Sequence, residues 1–128
     1  MQKKQHEERW LQIAIVARVR ELAMNNPAFR YLCAALGGEF SSPGMRVRMK
    51  RFGNVAGQPD LMLHLRRGEC PGMAIELKTP TAFAKKDHNC SPEQLEFQEW
   101  LIQQGWRVLV SCNPDQIIED IVAYVEGK

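Results

Sequence analysis

The chain has 128 residues, 45% of them hydrophobic and 25% charged, with a formal net charge of +2. This is the make-up of one ordinary globular domain spanning residues 1–128, able to build a core without staples. No apolar run approaches the roughly 18 residues of a membrane span, and the polar opening Met1-Gln2-Lys3-Lys4-Gln5-His6-Glu7-Glu8 is no secretory leader, so an intracellular, cytoplasmic protein is expected.

Residues 5–24 are expected to form a helix, because Leu11, Ile15, Val19 and Leu22 recur at helical spacing and Asn25-Asn26-Pro27 stops the pattern. Glu8 lies three residues before Leu11, at the end of that apolar stripe, with Gln12 as its neighbour. An inward carboxylate is costly without a partner or a cation; pairing with Arg9 or Lys4 is the plainer alternative. Residues 28–36 fit a short helix or a strand and end at Gly37-Gly38, before the loop Ser41-Ser42-Pro43-Gly44. Residues 45–52 read as a short basic helix closed by Gly53. Gly57-Gln58-Pro59-Asp60 is a turn into a strand over 61–65, followed by a loop over 66–72 and a second strand over 73–78. Residues 79–90 read as a polar loop. Ser91-Pro92-Glu93-Gln94 opens a helix with a capping box and proline at the first helical position, and Gly105 ends it. A third strand covers 106–111, and Asn113-Pro114-Asp115-Gln116 caps a last helix with Ile117, Ile118, Ile121, Val122 and Val125 on its buried side. Helix, hairpin, helix, strand, helix is an α/β order, with a parallel crossover between the last two strands and hence a mixed sheet.

Net charge is too small to argue for nucleic acid by itself. Its distribution says more: Arg46, Arg48, Lys50 and Arg51 fall within six residues, followed by Arg66-Arg67 and Lys85-Lys86, although a charge run is usually a solvated face. Cys33, Cys70, Cys90 and Cys112 contain no CxxC pair. They are expected to be reduced thiols, not zinc ligands, and His88-Asn89-Cys90 is too isolated for a metal corner.

Side chains alternate across a strand, so Glu76 and Lys78 share a face. If Leu65 lies opposite Met73 in a hairpin, Met62 faces Glu76 and Asp60 faces Lys78. Asp60, Glu76 and Lys78 then converge, whereas a slip of one residue would send Asp60 to the far side. Two carboxylates suit Mg²⁺, which takes octahedral oxygen ligands; Asp60, Glu76 and the backbone carbonyl of Leu77 are candidate donors. Such an ion acidifies a water and neutralises charge on phosphate oxygens, and Lys78 would hold or deprotonate the water or stabilise developing charge. A surface salt-bridge cluster is the alternative. Gln94 occupies the third helical position after Ser91, where the residues alone favour a cap.

Taken in order, Glu8-x-x-Leu11-Gln12, Lys50-Arg51-Phe52-Gly53, Gly57-x-Pro59-Asp60-Leu61, Ile75-Glu76-Leu77-Lys78, Ser91-Pro92-Glu93-Gln94, Trp100, Gly105, Val108-x-Val110 and Ile121-x-x-Tyr124 resemble the VRR-NUC (virus-type replication-repair nuclease) domain of the PD-(D/E)XK nuclease superfamily. The resemblance runs from about Glu8 to Tyr124. It implies a restriction-endonuclease-like core, with a mixed central β-sheet flanked by α-helices. It also implies a Mg²⁺- or Mn²⁺-dependent endonuclease that hydrolyses phosphodiester bonds in branched DNA such as Holliday junctions. Under it, Asp60 and Glu76 match metal-binding positions, Lys78 the catalytic lysine, Gln94 a glutamine that assists lysine and water, and Glu8 an acidic position that completes the metal environment. Small members of the family dimerise, and a homodimer would supply the two symmetric cuts that a junction needs; Trp106 and the insert around Phe40 are candidate interface residues. Arg46, Lys50, Arg51, Arg66 and Arg67 are expected to contact phosphates. Ala35-Leu36-Gly37-Gly38 departs from the family's Pro-Asn-Gly-Gly, and Gln58 stands where a small apolar residue is usual. The competing readings are a non-catalytic branched-DNA-binding module, a flap or nicking endonuclease, and a sequence-specific restriction-like enzyme.

Overall fold

Four strands form one mixed sheet in the order β1 (Leu32–Ala34), β2 (Leu61–Leu63), β3 (Met73–Leu77) and β4 (Arg107–Ser111). The computed structural model describes residues 2–35 and 43–128. Within them the helices are α1 (Gln2–Ala23), α2 (Pro43–Arg51), α3 (Pro80–Phe83), α4 (Pro92–Gln103) and α5 (Pro114–Val125). Phe40, most of the Ala35–Gly38 motif and the side chain of Arg46 lie outside the described residues. Strands β1, β2 and β3 pair antiparallel, while β3 and β4 pair parallel across α4. The α/β class and the mixed sheet are as the sequence pattern predicts. Among the described residues no helix is long and apolar enough to cross a membrane.

The alternation of β3 divides its residues between the two faces. Leu61, Leu63, Met73, Ile75 and Leu77 join Ile15 and Val19 of α1 and Ile117, Ile121, Tyr124 and Val125 of α5 in one buried core. Both helical stripes therefore close over the odd-numbered face. Removing that apolar surface from water is the principal stabilising term, about 25 cal/mol per Å². The intervening residues of β3, Ala74 and Glu76, point to the other face, where α4 lies.

Two expectations need correction. The hairpin register is Leu61↔Ile75, Met62↔Ala74 and Leu63↔Met73, two residues away from the pairing inferred above. Strand β2 stops at Leu63 because the chain beyond it turns to other partners: Leu65 gives its carbonyl to the Tyr124 hydroxyl, and Arg67 bridges Cys70. A two-residue shift preserves side-chain parity. The next step along the observed ladder sets Asp60 across from Glu76, not Lys78. Second, residues 79–90 are no plain loop. Thr79 caps α3 by accepting the Ala82 amide at 3.1 Å, and a 3₁₀ turn follows over Lys86–Asn89. The stretch left open between helix and strand holds both in its described part, a 3₁₀ turn at Pro27–Phe29 followed by the edge strand β1.

Candidate functional site

The site lies where β3 runs out against the first turn of α4. Glu76 and Lys78 are 3% and 6% exposed, so two ionisable side chains are held inside the protein on one strand face. The hairpin delivers Asp60 to them: its Oδ2 accepts the Leu77 amide at 2.8 Å. From the other side, the start of α4 delivers Gln94. The capping box at Ser91 is present, with Ser91 Oγ accepting the Gln94 amide at 3.1 Å and Gln94 Oε1 accepting the Ser91 amide at 2.9 Å. The same Oε1 accepts Lys78 Nζ at 3.0 Å, and Gln94 Nε2 donates to Glu76 Oε1 at 2.8 Å. Cap and polar cluster are therefore one network.

Turn 53–57 supports this junction. Gly57 has φ +87°, and a Cβ there would come within 2.3 Å of the Glu93 carbonyl oxygen. Only glycine lets the chain that leads into Pro59-Asp60 sit directly on the start of α4.

Lys78 Nζ approaches three oxygens: Gln94 Oε1, the Asn89 carbonyl at 3.4 Å and Glu76 Oε1 at 3.8 Å. Glu76 is less well served. Its Oε2 is buried without a hydrogen-bond partner. Burial, followed by the charge of Asp60, pushes the Glu76 carboxyl up to about 8, against the opposing pull of Lys78; Glu8 adds a smaller repulsion. A proton on Glu76 would let it donate to Asp60; a cation would satisfy both acids at once. Two hard oxygen donors around a buried, unsatisfied acceptor fit a divalent ion such as Mg²⁺. Among the described residues no three His, Cys, Asp or Glu side chains form a ligand group of their own. An ion here would thus rest on Asp60, Glu76, backbone carbonyl oxygen and solvent, with Glu8 half-buried nearby.

No family model and no curated protein matches the sequence. Its fold matches a solved structure described as "VRR_NUC domain protein", with a TM-score of 0.67 and 25% identity over 94% of this chain and 89% of that one. The chain has the fold of a VRR-NUC domain. That likeness supports a nuclease-family domain, with a mixed sheet as the sequence resemblance implies.

The residues singled out in the sequence fall into two groups. Asp60, Glu76, Lys78 and Gln94 are brought together. Among the basic residues, Lys50 and Arg51 are exposed near the end of α2 and Arg66 is exposed in the hairpin loop. Arg67 is engaged otherwise: its Nε and Nη2 donate to the Val125 carbonyl at 2.9 and 2.6 Å, at the C-terminal end of α5. Trp106 is half-buried, with its ring against the α-carbon side of Gly72 and edge-on to His64. The four cysteines are free thiols, and Cys33 is the exposed one.

Two features have no counterpart in the sequence reading. One is the Asn89 carbonyl beside Lys78; a backbone oxygen leaves no residue signature. The other is α3, which Thr79-Pro80 does announce, as an N-cap residue followed by proline at the first helical position. On the outer side of α4, Val55, Ala56, Phe97 and Trp100 line a groove of about 770 Å³ with Glu93, Glu96 and Glu99 along it. Those carboxylates make it a poor seat for phosphate.

Proposed function

We propose that this VRR-NUC domain is a divalent-metal-dependent endonuclease that hydrolyses phosphodiester bonds in branched DNA. The observation that carries this reading is the buried, unsatisfied Glu76 oxygen beside Asp60, with Lys78 in the same network. An isolated structural ion pair would leave no such acceptor, because buried polar groups in folded proteins are nearly always satisfied. Asp60 and Glu76, with the Leu77 carbonyl and Glu8 beside them, would hold Mg²⁺ or Mn²⁺. When bound, the ion supplies an acidified water and neutralises charge on the phosphate oxygens. Lys78, fixed by Gln94 and Asn89, would orient the attacking water and oppose negative charge as it develops at phosphorus. Gln94 would keep Lys78 and Glu76 in register with one another.

DNA would approach over the exposed cations Lys50, Arg51 and Arg66, joined by Arg46. No base-reading element is evident in the sequence, so selection by shape is the natural mode and binding should weaken steeply with salt. Arg67, tied to α5, contributes less to this surface. A homodimer would present two sites to a junction, and sedimentation at micromolar concentration tests it: a strict monomer would rule out paired cutting by this route.

The deciding experiment compares junction, flap, duplex and single-stranded DNA with Mg²⁺ and with Mn²⁺, for the wild type and for Lys78→Ala. Cleavage of branched DNA is expected from the wild type only, with the variant losing roughly 10³-fold in rate while retaining affinity. Full-rate cutting by Lys78→Ala would dismiss the site assignment. Tight binding of junctions with no nicking under either ion would instead identify a non-catalytic binding module.

A further inference from the structure

The segment between α3 and α4 contains the least favourable backbone among the described residues. Asp87, His88 and Asn89 have φ of 53°, 53° and 58°, three consecutive non-glycine residues in the left-handed region. Asp and Asn tolerate that region through local hydrogen bonding, whereas histidine between them needs a hold from outside. Such strain persists only where neighbouring structure over-determines it, and it concentrates at sites of function.

The hold is Phe83. The His88 ring stacks on the Phe83 ring with centroids 4.0 Å apart and planes 4° from parallel. His88 Nδ1 also lies 2.7 Å from the Phe83 carbonyl oxygen. A carbonyl only accepts, so Nδ1 carries the proton and donates. Stack and hydrogen bond together fix the turn to α3, which Thr79 caps directly after Lys78. The outcome of this local geometry is the direction of one group: the Asn89 carbonyl faces Lys78 Nζ at 3.4 Å.

We infer that His88 is a positioning residue for Lys78. Clamped on Phe83, it holds the left-handed turn so that the Asn89 carbonyl takes one ammonium proton. With Gln94 Oε1 taking a second, the third N–H, which has Glu76 Oε1 only at 3.8 Å, is the one left to a substrate. A lysine on a flexible four-carbon stem otherwise rotates freely, and loss of near-attack alignment costs rate far more than affinity. The inference rests on the proposed nuclease reading for its kinetic consequence, but the posture of Lys78 can be measured without any cleavage.

The test joins two readouts on His88→Ala, on Phe83→Leu, which removes the stack and retains apolar bulk, and on His88→Asn, which tolerates left-handed φ and still has an amide to donate. With ¹³Cε-labelled lysine, assigned by Lys78→Arg, the two Hε protons of a held Lys78 are inequivalent in the wild type. They should coalesce in His88→Ala and Phe83→Leu and separate again in His88→Asn. On branched DNA with Mg²⁺, kcat should fall about tenfold or more in the first two variants, with DNA affinity within about twofold, and recover in the third. An unchanged Lys78 signal in His88→Ala and Phe83→Leu overturns the inference, whatever the rates do. So does a changed signal with kcat intact. If the wild type cuts no substrate, the nuclease reading fails by itself and the Lys78 signal alone decides the role of His88.

Discussion

Two polar clusters flank this sheet, and they are built to opposite rules. In one, at the hairpin loop, the Tyr124 hydroxyl donates to the Leu65 carbonyl at 2.6 Å, and Arg67 donates twice to the Val125 carbonyl. Every polar group there has found a complementary one. Burial and the neighbouring Cys70 push the Tyr124 hydroxyl further up from its already high range, so it stays neutral and structural at any ordinary pH. In the other, around Glu76, two acids lie close and one buried oxygen has no donor. A satisfied cluster closes the fold; an unsatisfied one leaves an acceptor open to a further partner.

Glu76→Gln should sharpen this contrast most. The substitution removes the charge and retains the shape, so cleavage should be abolished while the metal-free fold gains stability. The direction follows from linkage. With the folded carboxyl raised to about 8 from the ordinary 4.5, stability is greatest below the unfolded value. It falls as pH rises from about 4.5 to about 8, where the unfolded state ionises and the folded state resists. The whole effect is on the order of a few kcal/mol. Thermal melts across that window should show the wild type falling and the glutamine variant level. Mg²⁺ at pH 8 should raise the wild-type melting temperature and leave the variant unchanged; equal responses would break the distinction between the clusters.

Gly57→Ala disturbs the site from its support. A methyl 2.3 Å from the Glu93 carbonyl oxygen, at φ +87°, should cost about 2–3 kcal/mol in denaturant unfolding and lower kcat by moving Asp60 relative to Gln94. Tyr124→Phe tests the satisfied cluster. It should cost about 1–2 kcal/mol with cleavage rate unchanged; a large loss of rate would mean that the two clusters are coupled. Arg67→Ala should have the smallest effect, about 1 kcal/mol or less in stability, with the salt dependence of DNA binding unaltered. Lys50→Ala or Arg66→Ala should reduce that salt slope by about one.

The same contrast accounts for what could be read in the sequence. Asp60, Glu76 and Lys78 are legible because strand parity survives a two-residue register error; only an odd slip would have separated Asp60 from Glu76. The register itself was not legible, because a loop that closes through a Tyr124 hydroxyl and an Arg67–α5 contact leaves no turn signature. Arg67 reads as one more surface cation, since its acceptor lies at Val125, 58 residues away in the chain. Gln94 is the cap that its position predicts, and it also bonds Lys78 and Glu76. Helix α3 was missed although Thr79-Pro80 announces it, and the left-handed turn after it has no glycine to announce it. The apolar stripes of α1 and α5 follow their periodicity, with Ile15, Val19, Ile117 and Ile121 fully buried.

The shared oxygen of Gln94 ties the readiness of the site to the fraying of a helix. Because Oε1 accepts both the Ser91 amide and the Lys78 ammonium, the first turn of α4 cannot open without releasing Lys78. Local opening of helix ends is the least costly fluctuation a domain undergoes. The exchange rate of the Ser91 amide with deuterated solvent is therefore a clock for the competent state: each opening is an interval in which the lysine has lost its alignment. Protection at that one backbone position would report, in a protein that carries no DNA and performs no reaction, how much of the time its site is assembled.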